Sequence, residues 1–356
     1  MTAQKLFLNA CHCKNRERPP VWLMRQAGRA LPEYRALREK HGFMEMLSEE
    51  ALITEISLQP WRRFKMDAVI VFADILLLPW KMGMDLQFIE GEGPKFSKGI
   101  ASEKDLNALK PIDPKADCPF LLNALRGIKK EIKEEAALLG FAGSPWTVAS
   151  YICDGFDALR NRNPNLLEKT LERLTQETVV YLKAQIRAGV DAIQIFDSWG
   201  GALSPKDYAI WSGPYIKEIV GALKTSGVPI IIYIKESGPL LEEMLATGAD
   251  VISVGWETPL KRCRSLSVKK EQKVTGTFCT AIQGNFNPHN LMQATPEEIR
   301  QQTEAMLKEM AGYPGYIANL GHGVLPKTPV ENIGAFVKSV QQSAVSGQLS
   351  EKNYKK

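Results

Sequence analysis

The chain has 356 residues, 44% of them apolar, enough to bury a large core and as compatible with one α/β barrel as with two smaller domains. Its 45 Lys and Arg stand against 40 Asp and Glu, a formal net charge of +5, too mild and too evenly spread for a nucleic-acid-binding protein, so any anionic partner has to be held by a local cluster. Six cysteines, Cys11, Cys13, Cys118, Cys153, Cys263 and Cys279, form no CxxC pair and no dense framework, which argues against a stapled secreted fold and predicts reduced thiols in a cytoplasm.

Residues 1–13 hold only Leu6, Phe7 and Leu8 as an apolar patch before the polar run 14–18, short of the apolar region of a signal peptide. No later stretch has the length of a membrane span, so the expectation is a soluble, cytoplasmic protein with neither membrane nor nucleic acid as partner. Short apolar runs bounded by Gly, Pro or Asp recur at 21–24, 67–72, 138–142, 192–196, 230–234, 251–254, 281–284 and 316–320. Amphipathic segments long enough for helices separate most of them, the pattern of parallel βα units. Eight such runs predict a closed (β/α)8 TIM barrel. Residues 85–90 and 95–100 flank a Gly-Glu-Gly-Pro turn and predict a short hairpin inserted after the second strand. In 166–189, Leu167, Leu171, Leu174, Val179, Leu182 and Ile186 recur at near-helical spacing with charged residues between, which predicts a helix packing one face on the barrel. Another helix is predicted at 296–310, introduced by Thr295 and an acidic first turn. The domain organisation expected is one barrel over 1–343 and a frayed polar tail over 344–356.

In a barrel the functional residues sit on the loops that follow the strands. The first run leads into Arg25-Gln26-Ala27-Gly28-Arg29, and two arginines four apart around a glycine can present guanidinium forks to carboxylates or phosphates. Solvated arginines, or partners for Glu33, are the plain alternative. After the second run Asp74 stands in an apolar stretch, where burial is costly unless something donates to it. It either caps a turn or holds N–H donors or a developing positive charge. After the third run come Ser144-Pro145-Trp146-Thr147 and Tyr151, a core tyrosine or one whose hydroxyl reaches the mouth. After the fourth, Asp197-Ser198-Trp199-Gly200-Gly201 is a turn that can expose a hydroxyl and backbone amides. The last run ends in Asn319-Leu320-Gly321-His322-Gly323, whose glycines let the backbone approach a ligand and leave the imidazole projecting. The run Cys11-His12-Cys13 precedes the first strand without an obvious distant fourth ligand, and surface or helix-end thiols are preferred to a metal site there.

Together these segments closely resemble the uroporphyrinogen decarboxylase family. Residues 21–29 with Leu31-Pro32-Glu33-Tyr34-Arg35 look like its N-terminal signature. Phe72-Ala73-Asp74-Ile75-Leu76, Gly143-Ser144-Pro145-Trp146-Thr147 with Tyr151, Phe196-Asp197-Ser198-Trp199 and the run 316–323 are similar to its remaining signatures in the same order. The likeness covers residues 7–340. One departure is Ala30, where the family commonly has tyrosine, a change that bears on loop packing or substrate preference.

The resemblance implies a (β/α)8 barrel that works as a homodimer with its clefts facing each other and needs neither metal nor organic cofactor. It implies uroporphyrinogen as substrate, with Asp74, Arg25 and Arg29 as catalytic residues. Arg25, Gln26, Ala27, Arg29, Asp74, Tyr151, Ser198 and His322 are the implied substrate contacts. Asp74 would accept pyrrole N–H bonds, and the arginines would bind carboxylates through charge-assisted bonds of about 1.5–3 kcal/mol each. Two rival readings stand beside this one. One is a zinc- or cobalamin-dependent methyltransferase of the same barrel superfamily, which needs a His-x-Cys pair and a further cysteine at later strand ends, whereas the fifth run here leads into Lys235-Glu236-Ser237. The other is a non-catalytic tetrapyrrole-binding protein, which has no need of a group that stabilises a transition state.

Overall fold

Runs rich in Ile, Leu and Val bury both faces of their backbone here, as a parallel sheet covered by helices requires. The computed structural model describes residues 1–89, 93–270 and 277–343, and the predicted tail at 344–356 lies outside them. Its strands are β1 (Ala68–Ile70), β2 (Leu86–Ile89), β3 (Gly93–Phe96), β4 (Ala137–Gly143), β5 (Ala192–Asp197), β6 (Ile230–Ile234), β7 (Val251–Ser253), β8 (Val268–Lys270), β9 (Thr277–Cys279), β10 (Ala281–Phe286) and β11 (Tyr316–Leu320). Seven pair in the order β1-β4-β5-β6-β7-β10-β11, all parallel. Every residue of β4, β6 and β11 is buried, and the fold is α/β with helices between successive sheet strands.

β2 and β3 pair antiparallel where the hairpin is expected, and the Phe88 ring meets Phe43 at 4.5 Å. A second antiparallel pair, β8 with β9, has no counterpart among the expected elements. The helix expected at 166–189 is Pro164–Arg187. It starts earlier because the Asn163 side chain accepts the Leu166 amide and Pro164 occupies the first helical position. The helix Pro296–Glu309 opens with a reciprocal capping box between Thr295 and Glu298. Among the described residues no helix is long and apolar enough to cross a membrane.

The run at 21–24 does not form a strand. Only Val21 bridges Ala318 of β11. Pro19 and Pro20 have no amide to donate, and the amides of Leu23 and Met24 go to side chains, Gln26 Oε1 at 3.1 Å and Asn319 Oδ1 at 3.0 Å. β1 is likewise shorter than expected, and the Phe72 amide is taken by Ser57 Oγ at 2.8 Å. Residues 20–22 nonetheless bond to both edge strands or their approaches. The Ala318 amide donates to the Pro20 carbonyl (2.9 Å), and the Asp67 amide to the Val21 carbonyl (2.8 Å).

Aspartates at the strand starts make the same contact three times. Asp67, before β1, accepts the Val21 amide at 2.8 Å. Asp191, before β5, accepts the Leu138 amide of β4 at 2.7 Å, and Asp250, before β7, accepts the Ile230 amide of β6 at 2.8 Å. Asp67 also receives the Arg18 guanidinium as a fork, both bonds 2.7 Å.

The expectation of reduced thiols fails for one pair. Cys13, just past the helix Ala3–Cys11, is joined to Cys279 of β9, with Cα atoms 6.1 Å apart, within the reach of a disulfide. The partners are 266 residues apart in sequence, so no local pattern announces the pairing. The bond removes Cys13 from the Cys11-His12-Cys13 run, and Cys11 is buried. Cys11, the last residue of its helix, is a helix-end thiol as expected, whereas Cys13 is no longer a thiol. Cys118, Cys153 and Cys263 are free and buried.

Replacing Asp67 by alanine strips both the Arg18 guanidinium and the Val21 amide of their acceptor. The expected cost is about 3 kcal/mol, at the low end for a broken buried pair because Arg18 keeps some exposure. Urea denaturation of wild type and Asp67→Ala measures it; a loss below about 1 kcal/mol, the worth of a surface pair, would show that the seam at residues 18–22 does not depend on this contact.

Candidate active site

β1 leads into Val71-Phe72-Ala73-Asp74, and Asp74 then turns the chain with its own carboxylate: Oδ1 accepts the Leu76 amide at 2.8 Å. The turn-capping role foreseen for this residue is therefore real, and it uses one oxygen. The other has no hydrogen-bond partner among the described residues. The side chain is partly buried, and burial raises its pKa above the ordinary carboxylate value. The Leu76 amide and the Arg25 charge oppose that rise without cancelling it.

Arg25 adopts φ +58°, a left-handed conformation that costs a residue with a Cβ roughly 1–2 kcal/mol, so its neighbours have to hold it there. The Met24 amide is bound by Asn319 Oδ1 (3.0 Å), and the Met24 carbonyl receives the Val324 amide (2.9 Å). The Gln26 side chain ties the Leu23 amide (3.1 Å) to the Ala68 carbonyl (3.2 Å). Gly323 leaves room for the arginine stem, since a Cβ there would fall on Arg25 Cγ and Cδ. The Gln26 amide group is thus a buried fastener between this loop and β1, and Ala27 is partly buried beside it.

Arg29 is exposed, and with Arg38 its charge acts on Tyr34. It is not among the groups that shift Asp74. Arg25 is thus the cation whose charge acts on Asp74.

His322 follows β11. Its ring meets the edge of Trp256 (6.2 Å between centroids), and Trp256 in turn meets His289 (5.8 Å). Burial, and after it the charges of Arg25, Lys235 and His289, lower its pKa to about 4 against a backbone bond at Gly323. The imidazole is accordingly neutral at pH 7. Lys235 is the site residue that the sequence pattern missed. It stands one position past β6 and pairs with Glu236 at 3.3 Å, and the strand-end rule that selected Asp74 and His322 would have found it.

Tyr151 lies on the helix Pro145–Ile152 and is 36% exposed, not a core tyrosine. Its ring meets Trp199, itself 49% exposed, at 6.5 Å. Ser198 is partly buried in the turn after β5. That turn abuts the end of β6, because a Cβ on Gly201 would fall on the Lys235 carbonyl. The carboxyl ends of the strands thus present a poorly solvated carboxylate, a guanidinium, an ammonium and a neutral imidazole, flanked by two exposed aromatic rings. This set can hold an anionic ligand by its periphery and stabilise positive charge at Asp74. Among the described residues no three His, Cys, Asp or Glu side chains gather as a metal site.

The family model described as uroporphyrinogen decarboxylase (URO-D) matches residues 2–343. Proteins named uroporphyrinogen decarboxylase from Cellvibrio japonicus and Serratia proteamaculans are each 41% identical over 334 residues, covering 90% of this chain and 91% and 92% of their own lengths. Among solved structures, a methyltransferase from Methanosarcina mazei has a TM-score of 0.78 at 19% identity, covering 96% of this chain and 99% of that one. A B12-independent methionine synthase from Shewanella sp. W3-18-1 has a TM-score of 0.58 at 11% identity, covering 88% and 91%. At such identities the two structures share the fold alone. The sequence match, by contrast, spans nearly the whole length, and the chain belongs to the uroporphyrinogen decarboxylase family.

Proposed function

We propose that this chain is a cofactor-independent carboxy-lyase that removes the four acetate carboxyl groups of uroporphyrinogen III, yielding coproporphyrinogen III and CO2 in porphyrin and haem biosynthesis. Family membership supports the substrate. The observation that carries the chemistry is Asp74, a carboxylate of raised pKa with one oxygen unpartnered among the described residues and the Arg25 charge acting on it.

Loss of CO2 from an acetate side chain leaves an electron pair that needs an acceptor, and the pyrrole ring itself can serve. Protonation of a ring carbon gives a cation. That cation takes the pair as the bond to the departing carboxylate breaks, leaving an exocyclic methylene; a second proton then turns the methylene into the methyl group while the ring carbon releases the first proton, which restores the pyrrole. In this scheme Asp74 accepts the pyrrole N–H bonds and its fixed charge stabilises the cation. An anion whose ionised state is already disfavoured gains more from a new cation beside it than a well-solvated one does, so the stabilisation falls on the transition state. Arg25 keeps Asp74 ionised and binds a peripheral carboxylate. Arg29 and Lys235 extend the cationic rim. His322, Tyr151 and Ser198 donate to other carboxylates without adding charge near the ring, and the backbone at Gln26 and Ala27 lines the cleft.

The bonds of residues 20–22 to both edge strands, with Val21 meeting Asp67 as Leu138 meets Asp191, support a sheet closed into a (β/α)8 barrel with 20–22 in the eighth strand's place. Exposed Trp199 and Tyr151 support a second copy covering this face, the homodimer that the family pattern implies. Cytoplasmic residence accords with the biosynthetic role; the Cys13–Cys279 bond is the feature that bears against a reducing compartment. The methyltransferase reading has the fold likeness on its side, but Lys235-Glu236-Ser237 supplies no thiol–imidazole pair at the end of β6.

Anaerobic incubation of the pure protein with uroporphyrinogen, with products separated by carboxyl number, should show stepwise conversion to the four-carboxyl product. Binding without turnover would leave the carrier reading standing. For Asp74, the folded state binds the carboxyl proton more tightly than the unfolded chain, so stability falls as pH rises from the unfolded pKa through the folded one and stays reduced at neutral pH. Asp74→Asn should therefore keep or raise Tm while lowering kcat by about a hundredfold or more. A variant with near-normal kcat would remove the charge-stabilisation scheme. For His322 the shift is downward, so the stability tied to its neutral form is full above about pH 6.5 and is lost as pH falls toward about 4. His322→Gln should leave the shape of the kcat/KM profile unchanged between about pH 5 and 8, and disappearance of a limb near about pH 6.5 would mean that the imidazole is charged in use.

A further inference from the structure

Asp197, the last residue of β5, is a fully buried carboxylate with no ion pair among the described residues. Hydroxyls stand in for a cation, that of Tyr208 lowering its pKa along with those of Ser144, Ser212 and Thr147. Ser144 Oγ and Thr147 Oγ1 donate to its Oδ1 at 2.6 and 2.9 Å, and Ser212 Oγ donates to its Oδ2 at 2.7 Å. Burying a charge in this way is costly: burial raises the Asp197 pKa, and the hydroxyl bonds oppose that rise.

Two of these donors lead to the site. Ser144 caps the helix Pro145–Ile152 by accepting the Thr147 amide at 3.0 Å, and that helix carries Tyr151. Thr147 Oγ1 accepts the Trp199 amide at 3.2 Å, while Trp146 Nε1 donates to the Trp199 carbonyl at 3.2 Å. The residue after Ser198 is thus held on both sides. Ser212 leads elsewhere, to the start of the helix Gly213–Leu223. A carboxylate only accepts, so every hydroxyl facing it must donate inward and turn its lone pairs outward, which for Ser144 and Thr147 means toward the Thr147 and Trp199 amides. An amide side chain would mix donors and acceptors and lose that uniform orientation. The turn has no slack to compensate, because a Cβ at Gly200 would fall on the Asp197 carboxylate.

We infer that Asp197 is a positioning residue, whose charge orients the Ser144 and Thr147 hydroxyls and so holds Ser198 and Tyr151, on two different elements, in register toward Asp74. It touches no substrate. Its kinetic consequence rests on the decarboxylase reading; its geometric consequence does not.

The test uses the full chain as Asp197→Asn, Thr147→Val and Ser212→Ala, with two readouts: hydrogen exchange of a peptide containing the Trp199 amide, and uroporphyrinogen turnover per folded molecule. Asp197→Asn and Thr147→Val should speed exchange at Trp199 and lower kcat/KM by about tenfold, with a combined effect in the double variant smaller than the product of the two. Ser212→Ala should lower Tm and leave both readouts as in wild type. If Thr147→Val exchanges and turns over like wild type, or Ser212→Ala moves both readouts as far, Asp197 serves the fold alone and the inference is overturned. Thr147→Val keeps the test decisive should Asp197→Asn not fold. If wild type itself releases no CO2, the decarboxylase reading fails, and the exchange comparison still decides the positioning claim.

Discussion

An ionised carboxylate among apolar neighbours is unstable alone, and the arrangement around Asp74 is what the rest of the molecule serves. Burial raises its pKa, one backbone amide steadies it, and Arg25 is the cation that keeps it chargeable. Arg25 is itself strained, at φ +58°, and persists because the surroundings over-determine it. Asn319 and Val324, from the far end of the chain, grip Met24 from two sides. Gly323 leaves the gap that the arginine stem fills. The pairing of a carboxylate from β1 with a guanidinium from the N-terminal loop therefore depends on the segment after β11.

The two ends of the sheet divide the work. At the amino ends, Asp67, Asp191 and Asp250 each take the amide of an adjoining strand or segment, and these contacts set register and stability. At the carboxyl ends the charges are less well satisfied. Among the described residues one Asp74 oxygen has no hydrogen-bond partner and Lys235 pairs with its neighbour Glu236 at 3.3 Å, while the His322 imidazole is kept neutral. Such division is expected where chemistry is carried by the loops after parallel strands. The Cys13–Cys279 bond lies before β10, on the stability side, and ties the N-terminal segment to a late strand pair.

Most of the sheet was legible because its strands are continuous apolar runs, and β6 and β11 fall on the predicted residues. The 21–24 run was misread because apolar content cannot show that Asn319 and Gln26 side chains take its amides. Asp74 and His322 stood out as polar groups at strand ends. Lys235, at a strand end like them, was weighed only as part of a run that lacks a His-x-Cys pair. The double role of Gln26 and the reach of Asp197 to hydroxyls on other elements are products of tertiary contact.

The central claim is electrostatic: Asp74 is held partly out of water and Arg25 keeps it ionised. The most direct measurement is a pH titration of the Asp74 carboxyl carbon by NMR, in the ligand-free protein with and without Arg25→Ala. The account predicts a pKa above the ordinary aspartate value in wild type and a further rise once the guanidinium is gone. An ordinary or lowered pKa that does not move when Arg25 is removed would contradict it.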